Sequence, residues 1–382
     1  MVHPRHPAVR PSEAGKRLVG VDAARGVALV GMMAVHLLPG MEADGGVSWS
    51  DQIVRGRAAA AFALLAGVAL ALANGRGQPL RGRAWAAAGA GLLVRCACIA
   101  VLGFALGTLE SGLAIILVNY ALLFALAIPL LVLRAPALAT LAVVVTVAVP
   151  VWSHVVRADL APMRGSSPVF VDIGEPSLLL SELLLTGYYP VLSWVAYLAA
   201  GIAVGRLDLA DRRTAVGLLL AGAALAIVAV MASQQLLQRP EARTALPAGV
   251  ADQVRYGTTP PSSWWWLVIV EPHSTTPLDL AHTIGIALAL LGGCLLLAPL
   301  AGRWMLPVAW AGSMTLTLYS LHVLAVAAAP VPEHPGRVWA IQVILALAFA
   351  AYWRSSSPRG PLEQLVAWPA RWAAATVRTA GR

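Results

Sequence analysis

The chain has 382 residues, of which 59% are hydrophobic and only 12% are charged. An ordinary globular protein carries roughly 25% charged residues, and a water-soluble domain could not bury this much apolar surface. The composition therefore excludes a soluble enzyme, a disordered regulator and a secreted disulfide scaffold, and it predicts an integral membrane protein. The net charge of +9 comes almost entirely from arginine, since Lys16 is the only lysine.

Long apolar segments recur along the whole sequence, and a helix needs about 20 such residues to cross the hydrocarbon. The predicted fold is all-α and polytopic, with about ten transmembrane helices. We do not expect the first segment to be a cleavable signal peptide, because its apolar run is too long and contains Asp22 and Arg25. The predicted spans are 18–39, 53–73, 84–107, 112–133, 136–156, 183–205, 214–236, 278–299, 304–328 and 336–353.

The placement of the basic residues predicts the orientation of these spans. If the N-terminus is cytoplasmic, the inner segments hold seventeen Lys and Arg residues and the outer segments hold eight. This asymmetry follows the positive-inside rule, so we expect both termini in the cytoplasm and no nucleic-acid partner. The predicted organisation is a cytoplasmic N-terminal segment (1–17), a transmembrane domain (18–353) and a basic amphipathic cytoplasmic tail on the inner leaflet (354–382).

The first span carries charged residues, which are costly inside a membrane and therefore functional candidates. Arg25 and His36 are eleven positions apart and share one helical stripe, separated by about 16 Å along the axis. Asp22 lies three residues before Arg25 on the same face. In the predicted orientation, Arg25 lies in the cytoplasmic half and His36 near the outer end. The structural alternative is an Asp22–Arg25 pair that neutralises itself and an interfacial His36.

Arg95, in the third predicted span, has no charged partner nearby in sequence. A cation in this position requires a carboxylate, a phosphate or carbonyl groups from other helices. Two interpretations remain open: Arg95 pairs with Asp22, or it binds the phosphate of a ligand.

Polar residues also recur towards the outer side of the later spans. His273 and His282 flank the start of the eighth span, and Thr315, Tyr319 and His322 form one polar stripe along the ninth. A face that carries these groups should point into the protein and away from lipid. The histidines lack a diagnostic ligand spacing, so we expect no metal site.

The three cysteines, Cys96, Cys98 and Cys294, all lie in apolar runs. Cys96 and Cys98 would point to nearly opposite sides of a helix and could not share a metal ion. We interpret all three as small core residues.

Two patterns in the first spans resemble known membrane acyltransferases. Arg25 and His36 fit the Arg-x10-His pattern of the acyltransferase-3 family. The stretches VDAARGVALVGMMAVH and GRAAAAFALLAGVALAL resemble bacterial relatives of heparan-α-glucosaminide N-acetyltransferase, and so do the later stretches EPHSTTPLDLAHTIG and AGSMTLTLYSLHVL.

The resemblance implies a multi-pass acyltransferase of the bacterial plasma membrane that acts on the cell envelope. Acetyl-CoA or another acyl-CoA would be the cytosolic co-substrate, and an outer-face acceptor, carbohydrate-containing, would receive the acyl group on a hydroxyl or amine. Arg25 would correspond to the donor-side arginine and His36 to the catalytic histidine, acting as base or acyl carrier. The lipid bilayer is the further partner, and the sequence predicts no particular oligomeric state.

Chemistry assigns roles to the remaining candidates. An arginine stays charged and binds phosphate oxygens with a planar fork, which suits Arg95 as a second donor-side cation. Histidine titrates near neutral pH and suits general acid–base work, so His322 is a further catalytic candidate. Asp22 is also a catalytic candidate, because it shares the stripe of Arg25 and His36. The acceptor-side candidates are His282, His273 and Tyr319.

Two other function classes fit the same charges. A transporter or flippase for a polar or lipid-linked solute would line its path with them. A non-catalytic scaffold would use them only to bind helices together.

Overall fold

A computed structural model describes residues 18–41, 47–74, 78–161, 163–164, 167–247, 249, 258–329 and 332–379. Within these ranges the regular structure is helical, with one isolated β-bridge between Met41 and Val47 and no strand. The all-α prediction is therefore confirmed for the described residues. The predicted N-terminal segment 1–17 lies outside them.

The α-helices are numbered here in chain order, and short 3-10 or π turns connect several of them. Their bounds are α1 Val19–Leu37, α2 Trp49–Val54, α3 Arg57–Ala73, α4 Gly82–Gly107, α5 Leu117–Leu130, α6 Ala135–Val156, α7 Pro176–Ser181, α8 Val191–Gly205, α9 Arg212–Leu237, α10 Pro240–Ala245, α11 Pro277–Ala301, α12 Leu306–Gly312, α13 Thr315–Ala328, α14 Pro335–Ser356 and α15 Pro361–Thr379.

Several of these helices are long and apolar enough to cross a membrane, so the chain is a multi-pass membrane protein. Two shorter apolar helices, α5 and α13, accompany them, and Pro176–Thr186 with Val191–Gly205 forms a pair bent by 52°. The count of about ten spans remains a prediction. Within the described ranges, seven helical segments are long and apolar enough to cross a membrane: Val19–Leu37, Ser50–Ala73, Gly82–Gly107, Ala135–Asp159, Arg212–Leu237, Pro277–Gly312 and Pro335–Ser356.

The fourth predicted span, 112–133, differs from the structure at its start. The helix begins only at Leu117, and the preceding residues form turns and extended backbone. A loop side chain replaces the missing helical hydrogen bonds: Ser167 Oγ donates to the Leu113 carbonyl (2.9 Å) and accepts from the Ile115 amide (2.8 Å). Irregular backbone is tolerated in a membrane protein where such partners exist.

The ninth predicted span, 304–328, is also not one continuous helix. It divides into α12 and α13, which meet at Ser313 and Met314. The amide groups at the start of α13 need acceptors, as at any helix N-terminus. Glu363 of α15 provides them, since its Oε1 accepts from the backbone amides of Leu316 (2.7 Å) and Thr317 (3.2 Å).

The C-terminal helix α15 packs along α4, where Gly91 lies close to Ala370. Its outer face exposes three large apolar side chains, Leu365, Trp368 and Trp372. The predicted tail thus contains a helix that packs against α4 with one face and exposes an apolar face on the other side. Its location on the inner leaflet remains a prediction.

Helix α1 packs against α3, α11, α12 and α14, and so lies in the middle of the bundle. Helices α9 and α11 pack along much of their length and meet through glycines. A Cβ atom added at Gly285 would lie 2.6 Å from the Gly222 carbonyl oxygen, and one added at Gly292 would lie 2.5 Å from the Leu219 nitrogen. Small residues permit this close approach of backbones in membrane helix pairs.

Candidate functional site

One cavity of about 330 Å³ runs beside α1 and is bordered by α3, α4, α5, α13 and the loop before α11. This volume is within the range typical of small-molecule sites, roughly 300–1,000 Å³. Both Arg25 and His36 line it, so the cavity extends along eleven residues of α1, about 16 Å. The periodicity of α1 places both side chains on one stripe, and the two define opposite ends of the cavity.

The first end is cationic. Arg25 Nη2 donates a hydrogen bond to Thr315 Oγ1 (3.1 Å), and its Nη1 lies 4.0 Å from Asp22 Oδ1. Arg95 of α4 lines the same end and interacts electrostatically with Arg25 and with Glu363. The Arg95 side chain is exposed, as expected for a residue that borders an open cavity. This end is suited to an anionic group.

The second end holds a pair of histidines from different helices. His36 Nδ1 of α1 lies 3.0 Å from His322 Nε2 of α13, and the two ring planes are nearly parallel, at 15° to each other. His36 is half-buried and borders the cavity, whereas His322 is 2% exposed and lies behind it. His322 Nδ1 in turn lies 2.7 Å from Gln342 Oε1 of α14. Only His36 of these three is placed to touch a molecule in the cavity.

Aromatic and charged residues surround the histidine end. Tyr188 and Tyr189 contact the ring of His273, with centroids 4.5 and 5.5 Å apart respectively. Arg55 pairs with Asp51 one helical turn earlier and also lines the cavity. The arrangement offers ring faces and a guanidinium group to a molecule that approaches His36.

The loop that carries His273 has an unusual backbone. His273 and Thr275 have φ values of 63° and 52°, in the left-handed region that favours glycine. Asp279 stabilises this conformation by accepting a hydrogen bond from the Thr275 amide (3.0 Å). Burial, with the nearby positive charges of Arg55 and Arg57, lowers the pKa of His273 to about 3, so His273 is neutral at physiological pH.

Between its two polar ends the cavity is largely apolar. Met32, Phe62, Ile99 and Leu117 contribute to this section. The hydroxyl of Tyr120, another lining residue, donates to the Ala59 carbonyl (3.0 Å). An uncharged chain would fit this middle section better than a charged group.

The structure brings most of the sequence-predicted site residues together. The prediction that the Thr315, Tyr319 and His322 stripe points into the protein is confirmed, because Tyr319 is 7% exposed and Thr315 lines the cavity with it. His282 is the exception. Its Nδ1 lies 3.2 Å from the Ala226 carbonyl in the α9–α11 contact, and it does not line the cavity. The cavity-lining candidates are Arg25, His36, Arg95, His273 and Tyr319.

Several residues of the site were not predicted from the sequence. Gln342 is a lone polar residue in an apolar run, which is a signal for an interhelical hydrogen bond. Arg55 follows Asp51 by four positions, the spacing of a helical ion pair. Tyr188 and Glu363 had no comparable signal, because their positions depend on how distant helices pack.

Among the residues that the structure describes, no three His, Cys, Asp or Glu side chains come together as a potential metal site. Cys96 and Cys294 are buried free cysteines on α4 and α11.

The comparison with known protein families agrees with the resemblance seen in the sequence. The family described as Heparan-alpha-glucosaminide N-acetyltransferase, catalytic, matches residues 17–238. Among curated proteins, none matches the chain significantly. The matched region is more than half of the chain, which confirms the resemblance to that family. The chain therefore belongs to the heparan-alpha-glucosaminide N-acetyltransferase family, a family of membrane acetyltransferases.

Proposed function

We propose that the protein transfers an acyl group, acetyl in the first instance, from cytosolic acyl-CoA to an acceptor at the outer face of the bacterial plasma membrane. The acceptor provides a hydroxyl or amine and contains carbohydrate. The observation that supports this proposal most directly is that a single cavity has a cationic end, lined by Arg25 and Arg95, and a histidine end, lined by His36.

The cationic end would bind the CoA phosphates. Arginine forms charge-assisted, bidentate hydrogen bonds with phosphate oxygens, and Arg25 already has its guanidinium held by Thr315. Asp22, 4.0 Å away, offsets part of the charge of Arg25. The uncharged pantetheine arm would lie in the apolar middle section, with the thioester towards His36.

The histidine end would carry out the transfer. His36 takes the proton from the acceptor hydroxyl or amine, the acceptor oxygen or nitrogen attacks the thioester carbonyl, and the carbon–sulfur bond breaks to release the CoA thiolate. The proton held by His36 then passes to the leaving sulfur. His322 is positioned to hold the His36 ring, and Tyr188, Tyr189 and His273 would contact the acceptor.

This proposal predicts different effects at the two ends of the cavity. His36→Ala should lower turnover by about 10²–10⁴-fold, the typical contribution of general acid–base catalysis, and leave CoA affinity unchanged. Arg25→Lys should weaken CoA binding, because the planar fork is lost. Purified protein in nanodiscs would be tested by acetyl transfer and by calorimetric titration with CoA.

Matched variants outside the cavity control for general damage: His334→Ala, at an exposed histidine, and Arg212→Lys, at an exposed arginine. A folded His36→Ala protein with normal turnover would contradict the assigned base. Solute uptake into proteoliposomes without acetyl-CoA consumption would instead support a transporter, which binds no CoA.

The proposed orientation, with both termini cytoplasmic, requires the α8–α9 loop inside and α10 outside. Cysteines introduced at the exposed positions Asp208 and Glu241 would be treated with an impermeant maleimide in intact cells. We expect labelling at position 241 alone, and labelling at position 208 alone would reverse the orientation.

A further inference from the structure

Gln342 is a polar residue on a helix that is otherwise mostly apolar and exposed. It lies in the run VWAIQVILALAFAAYW of α14, whose neighbours Ile341, Ile344 and Leu345 are all more than half exposed. An uncompensated amide would be costly in a membrane helix. The Gln342 side chain is turned inward and half-buried, with its Oε1 2.7 Å from His322 Nδ1.

The direction of the hydrogen bonds follows from the chemistry of these groups. An amide oxygen can only accept, so the Oε1 contact requires the proton of His322 on Nδ1. A neutral imidazole has one N–H, and Nε2 of His322 is then the acceptor for its other contact. His36 Nδ1 must donate to that nitrogen, across 3.0 Å. The remaining nitrogen of His36, Nε2, therefore bears a lone pair.

We propose that Gln342 is a positioning residue that fixes the tautomer of His36 through His322, so that His36 offers Nε2 as a base to the cavity. Gln342 and His322 do not line the cavity, so neither would touch a substrate. The three side chains come from α14, α13 and α1, and each holds the next in one orientation.

The consequence for catalysis rests on the proposed function, but the tautomer itself does not. If His36 carried its proton on Nε2, it would present a donor to the acceptor hydroxyl and could not remove its proton. When His36 accepts a proton at Nε2, the Nδ1–H bond to His322 persists, and the polarised pair stabilises the imidazolium. A neutral amide at position 342 sets this direction without adding a charge to the membrane interior.

Histidine-selective ¹⁵N labelling and solid-state NMR of the full chain in lipid would report the tautomer directly. Subtraction of a His36→Ala spectrum assigns the His36 signals, and we expect a protonated Nδ1 and an unprotonated Nε2. In Gln342→Leu, where the acceptor is lost, His36 should show a mixture of tautomers. Gln342→Glu retains an acceptor oxygen and should restore the single tautomer.

A matched control is Ile344→Ala on the exposed face of α14, which should leave the His36 signals unchanged. A His36 that is protonated on Nε2 in the unmodified protein, or signals that Gln342→Leu does not alter, would overturn the proposal. Neither result would change the measured acetyl transfer or CoA binding. Failure of the positioning proposal can therefore be distinguished from failure of the proposed function.

Kinetics give the second readout. Gln342→Leu should lower turnover by at least about tenfold, which is part of the rate enhancement that His36 provides. The CoA dissociation constant should be unchanged. Gln342→Glu should recover most of this loss. A parallel loss of CoA affinity in Gln342→Leu would show a general structural defect and contradict a positioning role. The expected tautomers in a protein without transferase activity would support the positioning role and refute the proposed function.

Discussion

Two adjacent glycines of α11 allow a direct test of how closely α9 and α11 must approach. A Cβ atom at Gly292 would lie 2.5 Å from the Leu219 nitrogen and 2.6 Å from the Ala215 oxygen, whereas one at Gly293 meets nothing within 4 Å. Ordinary carbon contacts are about 3.5 Å, so Gly292→Ala requires α9 and α11 to separate by about 1 Å. Overpacking of this kind typically costs about 1–3 kcal/mol.

Gly293→Ala is the matched control, because it makes the same chemical change one residue later with open space around it. There the exchange should stabilise the helix by about 0.5–1 kcal/mol, through lower conformational entropy of the unfolded chain. Because the entropy gain is common to both variants, they should differ by the cost of overpacking, about 1–3 kcal/mol in the free energy of unfolding. Reversible unfolding in mixed micelles would measure this difference, and equal stability of the two proteins would refute the reasoning.

Two further predictions concern the ends of the site. Burial lowers the pKa of His273 from 6.5 to about 3 in the folded protein. As the pH drops from 6.5 towards 3, this histidine therefore takes up a proton in the unfolded chain but not in the folded protein, so the free energy of unfolding should decrease. The variant His273→Asn, whose asparagine tolerates the left-handed backbone, should make the melting temperature less dependent on pH. Identical curves of melting temperature against pH for the variant and the unmodified protein would contradict this prediction. Glu363→Ala leaves the start of α13 without its acceptor, which costs about 1–3 kcal/mol per unpaired amide, so trypsin should cleave α15 faster. Thr376→Ala, on the exposed side of α15, is the control, and equal cleavage rates would show that Glu363 does not secure the helix.

The sequence was most informative where one helix carries the information by itself. The stripe of Asp22, Arg25 and His36 follows from the helical period alone, and the structure places Arg25 and His36 along one cavity. The inward face of α13 was predictable for the same reason, since lipid would not accept Thr315, Tyr319 and His322 together.

Features that depend on distant partners were not predictable. The apolar run across 304–328 gives no sign of the break at Ser313 and Met314, because Glu363 of another helix completes the start of α13. Hydropathy likewise does not show that His282 faces α9, whereas His273, nine residues earlier, faces the cavity. Gln342 had a visible signal, but only the packing of α14 reveals that its partner is His322.

The contacts of α1 with α13 also determine when the site forms during synthesis. Arg25 and Thr315 are separated by 290 residues, and His36 and His322 by 286. At a synthesis rate of about 5–20 residues per second, α1 waits roughly 15–60 s in the membrane before its partner helix is made. During this interval the carboxylate of Asp22, three residues away on the same helix, is already present to compensate the charge of Arg25. The first and last parts of the chain must therefore meet before either end of the cavity is complete, so activity would report on assembly of the whole bundle.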